Sequence, residues 1–111
     1  MLLPNAHRAI IKEEKITDYV LNFDHFEGKN KARVFSSVPG LKKENTDYLI
    51  NAIRTAILIN DAVKQSESAF GTKYSVEFDL IFEKKIAKVR TGWLIENGNN
   101  IPRLITCFII L

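Results

Sequence analysis

From Tyr74 to Phe82 every second residue is apolar: Tyr74, Val76, Phe78, Leu80 and Phe82, with Lys73, Ser75, Glu77 and Asp79 set between them. A period of two fits a half-buried strand, because successive strand side chains point to opposite faces. The pattern resumes after Glu83-Lys84, a short turn. Ala87, Val89, Thr91, Trp93 and Ile95 share one face, and Lys88, Arg90 and Leu94 share the other. Asn97-Gly98 is a hairpin signal, since both residue types tolerate positive φ. A last strand runs from Arg103 to Ile110, behind Pro102, where a missing N–H is tolerated. Three strands with short connections predict an antiparallel meander.

Upstream the period is helical. Leu49, Ala52, Ile53, Ala56 and Ile57 recur at the spacing of one helix face within residues 43–60, a buried stripe. Lys43, Asp47 and Arg54 fall on other faces. Residues 61–71, DAVKQSESAFG, read as a polar connection. Near the start, Ala9-Ile10-Ile11 reads as an extended segment laid on the core. Ile16, Tyr19 and Val20 predict a helix opening at Glu13-Glu14, where negative charge suits the helix dipole. Asp24 to Gly28 reads as a loop. Asn30 can cap a short second helix carrying Ala32, Phe35 and Ser36, which Pro39-Gly40 stops. Helices first and strands last predict an α+β fold, with N-terminal helices packed on a three- to four-stranded antiparallel sheet.

At 111 residues one domain spanning 1–111 is expected, large enough to bury a core without staples. Cys107 is the one cysteine, which excludes an internal disulfide, and its apolar run LITCFIIL marks it as a small core hydrophobe. No secretory h-region follows Met1 and no apolar run reaches the roughly 20 residues of a membrane span, so the expected compartment is cytoplasmic, with no membrane partner. The net charge of +3 is compatible with a polyanionic partner without identifying one. The run FIIL leaves room for a homodimer or a partner seam, because a terminal strand is an open edge.

Cofactor chemistry finds little support. There is no HxxxH, HExxH or CxxC spacing and no glycine-rich phosphate loop, so no metal and no cofactor are expected. Glu77 and Asp79 share a strand face that could hold Mg²⁺, but an outward polar face explains them better. What remains is imidazole and cation chemistry, gathered in Asn22–Phe35, NFDHFEGKNKARVF, which holds His25, Lys29, Lys31 and Arg33. RNA cleavage by 2′-hydroxyl attack needs no metal. It needs a base, an acid, and a cation for the charge on phosphorus. Histidine suits the proton steps, and Arg or Lys suits the charge. His25, Lys31, Arg90, Arg103 and Thr106 can supply these groups if the loop folds over the sheet. Each also has a plain structural reading: His25 an exposed loop residue, Lys31 a solvated first-turn lysine, Arg90 part of a wet strand face, Thr106 a β-branched filler, Trp93 core.

LPNAHRAII, then Asn22, His25, Gly28 and Lys31-Ala32-Arg33-Val34-Phe35, then Trp93, and lastly Pro102 to Phe108, PRLITCF, resemble an uncharacterised bacterial domain family. Its pattern is LPNA, NPxHPxGxxKAxVF, a tryptophan strand and PRLVTCY. That family occurs as stand-alone proteins, commonly in cyanobacteria, and at the C-termini of polymorphic toxins and phage-head proteins. Phe23 and Phe26 stand where the family often has prolines, and Phe108 where it often has tyrosine. The family looks like the barnase–EndoU–colicin–RelE-like group of metal-independent ribonucleases. The resemblance implies a toxin of a toxin–antitoxin pair, with RNA as substrate and a small antitoxin-like protein as partner. It implies a catalytic set of His25, Lys31, Arg90 and Thr106, with Lys29, Arg33, Arg103 and Trp93 contacting RNA. His25 would transfer protons, and Lys31 and Arg90 would clamp phosphate. The alternative is a non-catalytic RNA- or protein-binding module.

Overall fold

The computed structural model describes residues 1–16 and 41–110. The loop at 24–28, the short helix from Asn30, its stop at Pro39-Gly40, and Tyr19 and Val20 lie outside the described residues. So do four expected site residues, His25, Lys29, Lys31 and Arg33.

The expected α+β fold is present. After a 3-10 turn at Ala6–Arg8 and one helical turn α1 (Glu13–Lys15), a second 3-10 turn, Lys43–Asn45, leads into α2 (Thr46–Ile59). Four strands follow in chain order: β1 (Ala62–Glu67), β2 (Gly71–Phe82), β3 (Lys85–Glu96) and β4 (Arg103–Ile110). They form one sheet in the order β1-β2-β3-β4, every pair antiparallel.

Helix α2 buries the stripe its spacing predicts, with Leu49, Ile53, Ala56 and Ile57 inside and Ala52 at its margin. It ends at Asn60, whose backbone and side-chain N–H groups both donate to the Ala56 carbonyl. The chain then passes almost directly into β1. The stretch expected to be a polar connection is therefore largely a strand. Only Ala62 in β1 is buried, so no alternation of hydrophobicity marks it. Backbone pairing with β2 holds it in place.

The β2–β3 hairpin keeps continuous register from Gly71–Glu96 to Phe82–Lys85, closed by Glu83-Lys84 with Glu83 at φ 56°. At the other end the chain turns over Glu96–Asn99, with Gly98 at φ 80°. Asn97 takes another role. Its amide side chain donates to the Ala69 carbonyl at 2.6 Å and its backbone N–H to Phe70, tying this turn to the β1–β2 connection.

Residues 1–11 strap the layers together. Met1 accepts a backbone hydrogen bond from Ala62, Arg54 reaches the Ala9 carbonyl at 2.9 Å, and Ile10 makes a parallel bridge with Arg103 at the rim of β4. Leu3, Ala9 and Ile11 bury their side chains beneath the strap. The core lies between these segments, Ile16, Leu41, α2 and one sheet face. That face carries Val76, Phe78, Leu80, Ala87, Val89 and Trp93, the set predicted by the period of two. Cys107 is buried with them. No helix among the described residues is long and apolar enough to cross a membrane.

Candidate functional site

Alternation that sends one set of side chains into the core sends the other to the opposite sheet face. There the register sets Glu77 across from Arg90, Asp79 across from Lys88, Arg90 across from Phe108, and Gly92 between Ser75 and Thr106. Arg90 and Thr106 are therefore diagonal neighbours, a separation of about 7–8 Å between backbone positions. Two residues singled out in the sequence meet here.

Arg90 is held from two sides. Its Nη2 and Nε donate to Glu77 Oε2 at 3.0 and 3.3 Å, and its guanidinium carbon lies 5.8 Å from the Phe108 ring centroid. An exposed ion pair of this kind adds only about 0–1 kcal/mol to stability, so its effect is to orient the group. A planar guanidinium resting on an aromatic face and fixed along one edge can present its other N–H groups to an anion. Lys88 approaches Asp79 at 4.0 Å, and Arg103 Nε donates to Glu96 Oε1 at 2.8 Å. Arg103 pairs in register with Leu94, four residues from Arg90 along β3, or about 13 Å.

Beside Arg90 runs a row of small and polar side chains. Gln65 Nε2 donates to Ser75 Oγ at 2.8 Å, and Ser75 is only 8% exposed. Gly92 comes next, and a Cβ placed on it would lie 2.5 Å from the Thr106 methyl carbon. Two bulges flank the row. Gln65 is the extra residue of β1, and Ile105 that of β4, both at the level of the Tyr74–Trp93 pair. Bulges raise local twist and re-aim side chains.

Trp93 is corrected from its expected place among RNA contacts. It points into the core, is fully buried, and donates its indole N–H to Thr91 Oγ1 at 2.8 Å. It has no ring face left for a base. Glu77 and Asp79 pair with cations, and among the described residues no group of three His, Cys, Asp or Glu side chains is placed to hold a metal.

Sequence reasoning missed the partnership of Glu77 with Arg90 and the row Gln65–Ser75–Gly92. Alternation assigned Glu77 and Ser75 to the outward face, but only cross-strand register shows what they oppose. A concavity of about 540 Å³ lies elsewhere, between α2 and β2, lined by Tyr48, Thr55, Ile59, Phe78, Asp79 and Ile81 among others. The Tyr48 hydroxyl closes it by donating to the Ile81 carbonyl. No cation lies among its described lining residues, so it is poorly suited to phosphate.

The fold has a known counterpart. A chain of the contact-dependent growth inhibition toxin–immunity protein complex from Klebsiella pneumoniae 342 superimposes with a TM-score of 0.66 at 16% identity, covering 91% of this chain and 99% of that one. At that identity the likeness establishes a shared fold. No curated protein sequence matches the chain. A family model does match, over residues 2–111, and the chain belongs to that family, the domain of unknown function DUF6883.

Proposed function

We propose that this protein is the toxin of a toxin–antitoxin pair, a metal-independent endoribonuclease that cleaves RNA by attack of the 2′-hydroxyl on the adjacent phosphorus. The observation that carries the reading is the placement of Arg90 beside Thr106 on the sheet face turned away from α2, with the guanidinium oriented by Glu77 and Phe108. Phosphoryl cleavage of this kind needs fixed donors aimed at the charge that develops on the phosphate oxygens, and a preorganised guanidinium and hydroxyl provide them. His25 is the proton-transfer residue of this reading and Lys31 the second phosphate clamp. Lys29, Arg33 and Arg103 hold the flanking backbone.

The toxin role and the small neutralising partner draw support from the shared fold, since the matching chain comes from a toxin–immunity complex. In this reading the enzyme acts in the cytoplasm, where its RNA substrate is found.

A second reading is favoured by one observation. Arg90, Lys88 and Arg103 are each paired with a carboxylate, as expected of a face that meets another protein without doing chemistry. Incubating total RNA with purified protein in excess EDTA decides between them. Cleavage by the wild type, abolished in folded His25→Ala, supports the ribonuclease. Intact RNA in both, with well-folded, partner-free protein, leaves the binding module.

A further inference from the structure

The geometry points to Gly92 as the residue that positions the Thr106 hydroxyl beside Arg90, an inference that rests on the ribonuclease reading above. Gly92 has no need of glycine for its backbone, since its φ lies outside the left-handed region. What requires glycine is space. A Cβ there would meet the Thr106 Cγ2 at 2.5 Å, while the next nearest atoms, Ile105 Cγ1 and Thr106 Cβ, lie at 3.7 and 3.8 Å. The clash is therefore with one methyl group, and the hydroxyl oxygen is clear of it.

Threonine makes that methyl decisive. Its Cγ2 and Oγ1 share one Cβ and occupy staggered positions about 120° apart, with little freedom at χ1. Whatever holds the methyl over Gly92 also fixes where the hydroxyl points. The extra residue Ile105 brings two consecutive side chains of β4 toward Gly92, and on its far side Ser75 is packed and bonded to Gln65. A side chain at position 92 would force Thr106 into another rotamer and carry the hydroxyl with it. Gly92 thus acts through Thr106. It is a positioning residue, and the group it positions donates to a phosphate oxygen next to the Arg90 guanidinium.

The test measures single-turnover cleavage of a short single-stranded RNA in EDTA, with thermal melting of every variant. Thr106→Val keeps the methyl and loses the hydroxyl, so the folded variant is expected to cleave about 100-fold more slowly or worse. Thr106→Ser keeps the hydroxyl and stays within a few-fold. Gly92→Ala loses activity as Thr106→Val does. Gly92→Ala combined with Thr106→Ser removes the clashing methyl and recovers most of the rate, which a merely structural glycine would not do.

Wild-type rates in Thr106→Val or Gly92→Ala overturn the inference and leave the ribonuclease standing. So does a folded double variant no faster than Gly92→Ala alone. If Gly92→Ala does not fold, the double variant decides: folding and near-wild-type cleavage by Gly92→Ala with Thr106→Ser supports the inference, and a double variant that fails to fold or to cleave overturns it. No cleavage by the wild type removes the ribonuclease and this inference together.

Discussion

At the scale of single residues, the polar groups inside the sheet are arranged as strictly as the apolar ones. Trp93 is fully buried, and its indole N–H must find an acceptor or cost about 1–3 kcal/mol. It finds Thr91 Oγ1, which in turn donates to the Val76 carbonyl at 2.8 Å. No buried side-chain polar atom among the described residues lacks a partner. Thr91→Val keeps the shape and removes the acceptor, so it is expected to destabilise by about 1–3 kcal/mol. Urea unfolding should show a lower midpoint at unchanged slope. An unchanged midpoint would mean that the indole finds another acceptor. Because Thr91 and Trp93 face the core and Arg90 the opposite side, RNA cleavage by the folded variant should stay near wild type.

At the scale of elements, legibility in the sequence tracked how much of each element's placement is set by its own side chains. Strands β2 and β3 are half-buried along their length, so the period of two exposed both their extent and their faces. Helix α2 was legible for the same reason at a different period. β1 was not, because five of its six residues are exposed and its own side chains carry no alternation, so only backbone pairing with β2 defines it. The site divides in the same way. Alternation put Arg90 on a polar strand face, but only the β3–β4 register sets Thr106 diagonal to it. Their oriented neighbours Glu77 and Phe108, and the row through Gly92, depend on register, which one strand's pattern does not contain. Trp93 was assigned to RNA by resemblance against its own alternation, and the alternation was right.

The β1 finding carries a test. Ala62 donates its N–H away from β2, to Met1, so by antiparallel alternation Val63 exchanges hydrogen bonds with Ser75. Val63→Pro removes that donor from an edge strand and is expected to cost about 1–3 kcal/mol. Faster amide exchange should spread along β1 while the β2–β3 ladder stays protected. Uniform loss of protection would instead mean that β1 is needed for the whole sheet.

At the scale of the whole molecule, the net charge of +3 says less than its distribution. The outward face holds four described cations, Lys73, Lys88, Arg90 and Arg103, and three carboxylates, Glu77, Asp79 and Glu96. Three of those cations are engaged in ion pairs, so the face is close to neutral. A neutral face with oriented donors suits selective contact with one or two phosphates better than strong nonspecific adhesion. Glu77→Gln with Asp79→Asn frees Arg90 and Lys88 from their partners. RNA affinity is then expected to rise at low salt. The slope of log affinity against log salt should steepen by about 0.7 for each added phosphate contact on a single strand, or about 1.4 for two. Fluorescence anisotropy of a labelled single-stranded oligonucleotide, titrated at several salt concentrations, reads both quantities. A looser Arg90 should also slow cleavage, because the orientation that Glu77 supplies is lost even as binding tightens. If neither affinity nor slope moves, RNA does not lie on this face, and its paired charges are better matched to a protein partner.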